Sequence, residues 1–251
     1  MPTMNIVHLM DPLASINPAK DTTFAFMLAA QEKGWQNFYL APDGLSLDNG
    51  KVLLSVTPVI ANRQSPIFNT KDPIILTEND LQVLFIRLDP PFDNRYLNCT
   101  WILDHLPKHV VCINRPKGIR TVNEKLWVTQ FTDLIPQTLV TQDKSQFMAF
   151  LDTHKEAILK PSDSFGGQQI FKLKKGDTNS VVAFESITQS GQPCIVQQYI
   201  DKAEVGDKRI LLLNGEPLGA ILRVHAKEDH RNNFFAGGTA QRSSVTDNDL
   251  N

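Results

Sequence analysis

Short apolar runs alternate with helix-like stretches through the first half of the chain, and this rhythm constrains the fold more than any other feature. "IVHLM" (Ile6–Met10) is a strand-like run stopped at once by Asp11-Pro12. "TTFAFMLAAQEKG" reads as a helix opened by a threonine cap and closed by Gly34. "FYLAP" (Phe38–Pro42) follows as a second strand. The strongest buried strand is "LQVLFIRL" (Leu81–Leu88), broken by "DPPFD" (Asp89–Asp93). A helix through "RYLNCTWILDHL" and a strand at "HVVCIN" (His109–Asn114) complete the series. Strands that alternate with helices lie parallel, because each crossover returns the chain to the same end of the sheet. The expectation is a Rossmann-like parallel α/β unit over residues 1–120. Residues 43–77 mix short β-like pieces with Gly, Pro and Asn, and carry no readable order.

The second half has another rhythm. Thr121-Val122-Asn123-Glu124 is a capping-box pattern that predicts a helix carrying Lys125. "KSQFMAFLDTH" and "VVAFESITQSG" predict two further helices, and "PCIVQQYI" (Pro193–Ile200) a strand. "KRILLLNGEPLGAILRV" predicts a hairpin, since Asn214-Gly215 suits a two-residue type I′ turn between apolar strands. The organisation from 121 to 251 is therefore α+β. Thr246-x-x-Asp249 opens one more capping box just before the chain stops, which suggests a fragment or a truncated product.

Bulk properties exclude several classes of function. With 25 Lys+Arg against 27 Asp+Glu, the formal net charge is −2, and no basic run points to nucleic acid or an anionic membrane. Apolar runs such as "FAFMLAA" (Phe24–Ala30) are too short to span a bilayer, and no signal pattern opens the chain. Cys99, Cys112 and Cys194 are odd in number, widely spaced and set among apolar residues, which reads as buried thiols of a cytoplasmic protein. No residue spacing marks a metal site.

Neither G-x-x-x-x-G-K-[ST] nor a G-x-G-x-x-G after the first strand is present, so a nucleotide has to be held another way. "ILKPSDSFGGQQIFKL" (Ile158–Leu173) offers one. Lys160 interrupts a strand-like run and supplies a positive charge. Gly166 and Gly167 let backbone N–H groups approach phosphate oxygens with no Cβ in the way. Alone, the stretch reads first as a hairpin with a loose turn. Lys125, Asp207-Lys208-Arg209, Arg223 and Arg231, with a further glycine pair in "NNFFAGGTA", extend it to a candidate anion-binding set.

Seven stretches, in order along the chain, resemble the bacterial glutathione synthetase family of the ATP-grasp superfamily. They are "MDPLASIN" with "KDTTFA", "RLDPPFD", "INRPKGIRTVNEKL", "ILKPSDSFGGQQIF", "VQQYI", "GDKRILLLNGEP" and "FFAGG". The resemblance implies a Rossmann-like N-terminal domain followed by α+β ATP-grasp subdomains, here incomplete at the C-terminus. Lys125 and Lys160 then correspond to the lysines on the ATP phosphates. Ser164, Phe165, Gly166, Gly167 and Gln168 correspond to the lid, and Gln197, Gln198, Tyr199 and Ile200 to the hinge that reads adenine. Asp207 falls in the nucleotide pocket, and Arg209 and Arg223 near the transferred phosphate. Asp11, Arg87, Asp89, Arg231, Gly237 and Gly238 fall on the substrate side.

The implied reaction joins γ-glutamylcysteine to glycine with ATP and Mg2+, in a cytoplasmic homo-oligomer. The family's magnesium ligands lie beyond the last residue of this chain. Ser164 stands where the family loop usually has glycine, and Asn232 and Thr239 depart from its glycine-rich segment. Another ATP-grasp carboxylate–amine ligase, or an inactive or split ATP-binding homologue, stays open as an alternative.

Overall fold

The computed structural model describes residues 3–225 and 237–250. The chain forms two compact units, Met1–Asn123 and Glu124–Asn251.

The first unit runs β1 (Asn5–Met10), α1 (Thr22–Glu32), β2 (Gln36–Leu40), β3 (Leu45–Asp48), β4 (Lys51–Ala61), β5 (Phe68–Thr70), β6 (Ile74–Thr77), β7 (Val83–Arg87), α2 (Asn94–Leu103), β8 (Val111–Ile113) and α3 (Pro116–Thr121). Strands β2, β1, β7 and β8 pair in parallel, as the alternating rhythm predicts. The stretch that showed no order is an antiparallel extension. β4 pairs antiparallel with β2 and carries β3, β5 and β6 along its length. It follows short turns rather than helical crossovers, so it leaves no α/β periodicity to read. Val7, Leu9, Leu40 and Leu84 pack toward Cys99 and Leu103 of α2, while Met10 and Val59 join Phe24 and Met27 of α1 in a second cluster.

The cap of α1 is Asp21, whose carboxylate accepts from the Phe24 N–H at 2.8 Å, and not the expected threonine. A carboxylate there satisfies an orphan donor and meets the positive end of the helix. Gln31, in the last turn of α1, donates to the Ala61 carbonyl at 3.0 Å and accepts the Ala61 N–H at 2.7 Å. Its side chain thus continues the pairing of β4 beyond the start of β2.

His8 sits in the middle of β1, fully buried and stacked on Phe85 at 5.5 Å. Its Nε2 lies 2.9 Å from Asn37 Oδ1, while Asn37 Nδ2 donates to the Met27 carbonyl. An amide oxygen only accepts, so Nε2 carries the proton. Nδ1 is left buried without a hydrogen-bond partner. Burial holds the imidazole pKa down to about 4, aided by Arg87 and opposed by the Asn37 bond.

The second unit runs β9 (Thr138–Thr141), α4 (Lys144–His154), β10 (Glu156–Pro161), β11 (Phe171–Lys174), α5 (Asn179–Thr188), β12 (Cys194–Gln198), β13 (Asp207–Leu213), β14 (Glu216–Val224), β15 (Thr239–Ser243) and α6 (Asp247–Leu250). Four strands form an antiparallel sheet in the order β11-β10-β12-β9. Phe147 and Leu151 of α4, with Phe184 and Ile187 of α5, pack on one face of it, against Ala157, Leu159, Leu173, Cys194 and Val196. Strands β13, β14 and β15 form a second antiparallel sheet in which no residue is buried. Asn214 (φ 52°) and Gly215 (φ 87°) make the hairpin turn, both with the positive φ that a type I′ turn demands.

The capping box expected at Thr121 does not open a helix. α3 starts at Pro116, a residue suited to a first helical turn, and ends at Thr121, whose hydroxyl donates to the Lys117 carbonyl. Lys125 lies instead on a turn ahead of a 3-10 segment, Trp127–Gln130. Cys99 and Cys194 are buried and Cys112 half-buried. Burial pushes the Cys112 and Cys194 thiols up to about 11, so both stay protonated near neutrality.

Candidate functional site

Strand alternation sorts the residues of β10 between the two faces of its sheet. Ala157, Leu159 and Pro161 turn toward α4 and α5, which leaves Glu156, Ile158 and Lys160 on the face without helices. Across that face the register aligns Lys172, Ile158, Gln197 and Thr138 in one row. Lys160 stands one row along and donates to Gln197 Oε1 at 2.5 Å. Gln197 Nε2 donates in turn to Thr138 Oγ1 at 2.9 Å. This relay fixes which end of the amide meets the ammonium.

Desolvation lowers the Lys160 pKa, and the charge of Lys125 lowers it further. Lys125 contacts the Ser164 carbonyl and lies 3.0 Å from Glu124. Two cations sharing a desolvated face repel each other and attract an anion.

The segment after β10 carries the glycine pair. Gly166 (φ 63°) and Gly167 (φ 83°) both occupy the left-handed region, where a Cβ is costly, and Gln169 (φ 53°) follows them. Gln168 N–H closes the turn on the Phe165 carbonyl at 3.1 Å. A carbonyl of this segment, at Ser164, therefore sits on one lysine of the site, and two glycines shape the turn beyond it.

Past β12 the chain stays tied to both flanking strands. Gln198 N–H bonds the Gln137 carbonyl at 2.9 Å, and Tyr199 N–H bonds that of Glu156 at 3.2 Å. Ile200 is half exposed, and a 3-10 turn, Asp201–Glu204, leads to β13. There Asp207 lies opposite Arg223, which grips it with two bonds, Nε to Oδ1 at 2.6 Å and Nη2 to Oδ2 at 2.7 Å.

That pairing depends on a bulge. Beside the turn, Leu213 faces Glu216 and Leu212 faces Pro217, but Leu211 faces Gly219, so Leu218 is the extra residue. Without a bulge, and with Leu218 itself paired, Asp207 would face Leu222, and Arg223 would point to the opposite side of the sheet. With it, Asp207, Arg209 and Arg223 share one face. Arg242 joins them, because Arg209 and Arg242 both face Ile221. Arg242 was not among the candidates drawn from the sequence, and strand alternation in "TAQRS" (Thr239–Ser243) is the signal that marks its side.

In the first unit, Asp11, Arg87 and Asp89 gather at the carboxyl ends of β1 and β7. Asp11 Oδ2 accepts the Asp89 N–H at 2.7 Å, and Arg87 Nε donates to Thr23 Oγ1 at 3.1 Å. Burial raises the Asp89 pKa, the Asp11 charge adds to this, and Arg87 opposes it. Carboxylates and one guanidinium at strand ends suit a zwitterionic ligand. Gly237 lies in a turn with φ 86°, Gly238 just before β15, and Thr239 opens that strand. Arg231 and Asn232 lie outside the described residues.

Residues 4–120 match the family model of the prokaryotic glutathione synthetase N-terminal domain, and residues 124–251 that of the prokaryotic glutathione synthetase ATP-grasp domain. The glutathione synthetase of Vibrio cholerae serotype O1 is 39% identical over 248 residues, covering 96% of this chain and 77% of its own. That of Escherichia coli strain K12 is 37% identical over 245 residues, covering 96% and 78%. Among solved structures, the ATP-grasp ligase PsnB complexed with minimal precursor has a similar fold at TM-score 0.60 and 14% identity, over 100% of this chain and 80% of that one. D-alanyl-alanine synthetase A from Vibrio cholerae follows at TM-score 0.55 and 11% identity, over 99% and 76%.

Proposed function

The chain belongs to the prokaryotic glutathione synthetase family, and from that premise we infer that it makes glutathione by ATP-dependent ligation of γ-glutamylcysteine and glycine. In the reaction, a carboxylate oxygen of γ-glutamylcysteine attacks the γ-phosphorus of ATP. The bond from that phosphorus to the β–γ bridging oxygen breaks, and ADP departs. The glycine amine then attacks the acyl phosphate carbonyl, the C–O bond to phosphate breaks, and the nitrogen loses a proton. Phosphoryl transfer of this kind asks the protein for position and charge rather than for covalent chemistry.

The desolvated Lys160, held on Gln197 and pressed by the charge of Lys125, carries this assignment best. Lys160 and Lys125 take the ATP phosphates, and the segment Ser164, Phe165, Gly166, Gly167 and Gln168 covers them. Gln197, Gln198, Tyr199 and Ile200 read the adenine, and Asp207 lines the nucleotide pocket. Arg209 and Arg223 stabilise charge on the transferred group, with Arg242 on their face. Arg223 is held in place for that role by its bidentate grip on Asp207.

Asp11, Arg87 and Asp89 take the amino-acid head of γ-glutamylcysteine, with Arg231, Gly237 and Gly238 on the substrate side. The family uses Mg2+ with ATP. Among the described residues no group of three or more His, Cys, Asp or Glu is placed to hold a metal ion. Among them, too, no helix is long and apolar enough to cross a membrane. A cytoplasmic homo-oligomer completes the reading, and sedimentation velocity tests its assembly state.

The deciding experiment measures ADP release with γ-glutamylcysteine and glycine, alongside ATP binding by calorimetry. Lys160→Ala is expected to weaken ATP binding by about 10- to 100-fold, the range of a lost charge-assisted bond. Unchanged ATP affinity in that variant would overturn the site. Turnover only with a different acceptor would overturn the substrate.

A further inference from the structure

Lys172 has no part in the machinery above, yet it lies on the same sheet face as Lys160, in one row with Ile158 and Gln197. Its ammonium sits 3.6 Å from the centre of the Tyr199 ring and 3.1 Å from Glu204 Oε1, with Glu156 Oε2 at 3.6 Å. The Tyr199 hydroxyl bonds the same Glu204 oxygen at 3.2 Å, which closes a triangle of ammonium, phenol and carboxylate. The Lys172 side chain is only 22% exposed although Glu204 is largely in solvent, so the lysine is the enclosed member. The triangle joins β11, the strand that follows the glycine segment, to the 3-10 turn that leads from β12 into β13. Tyr199 itself is tied back to β10 through its N–H.

We propose that Lys172 is a positioning residue for nucleotide binding: it clamps the ring of Tyr199 and the carboxylate of Glu204, and so sets the backbone of Tyr199 and Ile200 that faces the base. This rests on the reading of residues 197–200 as the adenine-binding segment. Lys172 touches none of the reacting groups, so it acts on ATP affinity and leaves the chemical step alone. Arginine keeps both interactions, since a guanidinium stacks on an aromatic face and pairs with a carboxylate. Methionine keeps the length and loses both.

The test compares KM for ATP and kcat in the full chain for Lys172→Met, Lys172→Arg, Glu204→Gln and the Lys172→Met/Glu204→Gln pair. Lys172→Met is expected to raise KM for ATP about three- to tenfold with kcat within about twofold, the range of a partly exposed cation–π contact joined to an ion pair. Lys172→Arg restores the parent value. The double variant is no worse than Lys172→Met, because the two residues act as one unit. The rise in KM shrinks as salt increases.

Equal losses in kcat and KM, no rescue by arginine, or strictly additive effects would overturn the clamp. Lys160→Ala run in parallel separates the two levels. If Lys160 matters and Lys172 does not, the clamp is wrong and the ATP site stands. If neither matters, the site reading itself is wrong.

Discussion

The two sheets of the second unit are both antiparallel, and each holds its central cation, Lys160 or Arg223, in a different way. The four-stranded sheet is backed by α4 and α5, and its cation Lys160 is desolvated and destabilised as a charge. The three-stranded sheet buries no residue and carries two ion pairs, Arg223 on Asp207 and Lys208 on Asp249. One sheet is rigid by packing and keeps a positive charge in want of an anion. The other is ordered by register and ion pairs. A phosphate is best met by the first kind of surface, and an orienting arginine is best built on the second.

The contrast breaks most directly through packing. Phe147 is fully buried and stacks on Phe184 at 4.8 Å, so Phe147→Ala is expected to cost about 3–5 kcal/mol in urea unfolding. Leu212→Ala, at a position 63% exposed in the unbacked sheet, should change stability by less than about 0.5 kcal/mol. A comparable loss from both would mean that the three-stranded sheet has a core of its own.

Register gives the next effect. It sets Arg223 on the face of Asp207, Arg209 and Arg242, and Arg223→Gln removes the guanidinium from that face. The expected result is a fall in kcat of about 10²–10³, as when one preorganised donor is lost, with unfolding free energy little altered. Activity retained in Arg223→Gln would separate Arg223 from the reaction.

Acid should then act on the parallel sheet of the first unit before it reaches the three-stranded sheet of the second. The His8 pKa is about 4 in the fold and 6.5 in a free chain, so the unfolded state binds more protons between those values. Its contribution is fully present above about pH 6.5 and is lost as pH falls toward 4. Each tenfold difference in proton affinity between folded and unfolded chain corresponds to about 1.4 kcal/mol. Asp249, held to about 2 by the Lys208 ammonium and by its bonds to Thr246, works lower. Its tie is present above about pH 3.8 and fails as pH falls through 2. Stability followed from pH 7 to 4 should drop in the parent and stay flatter in His8→Phe. A carboxyl titration by NMR should find Asp249 still ionised at pH 3.

Local signals carried much of this structure in the sequence itself. The parallel core strands, the α4 segment and the Asn214-Gly215 turn rest on periodicity and turn chemistry within a few residues of each other. Lys160 and its glycine pair were legible as a strand and loop, and only their neighbours on other strands complete the candidate site. What escaped depends on long-range pairing. β4 spans the stretch that read as unordered, Asp21 caps where a threonine was expected, and Lys125 lies on a turn where a helix was expected. Alternation within β15 marks the side of Arg242, but its meeting with Arg209 depends on the pairing of both strands with β14.

Gln31 has a consequence outside folding and catalysis. By exchanging both an N–H and a C=O with Ala61, a helix side chain occupies hydrogen-bonding positions that would otherwise lie open beside β4. Open positions of that kind recruit the strands of other molecules. The amide of Gln31 therefore fills positions at which another strand could otherwise pair.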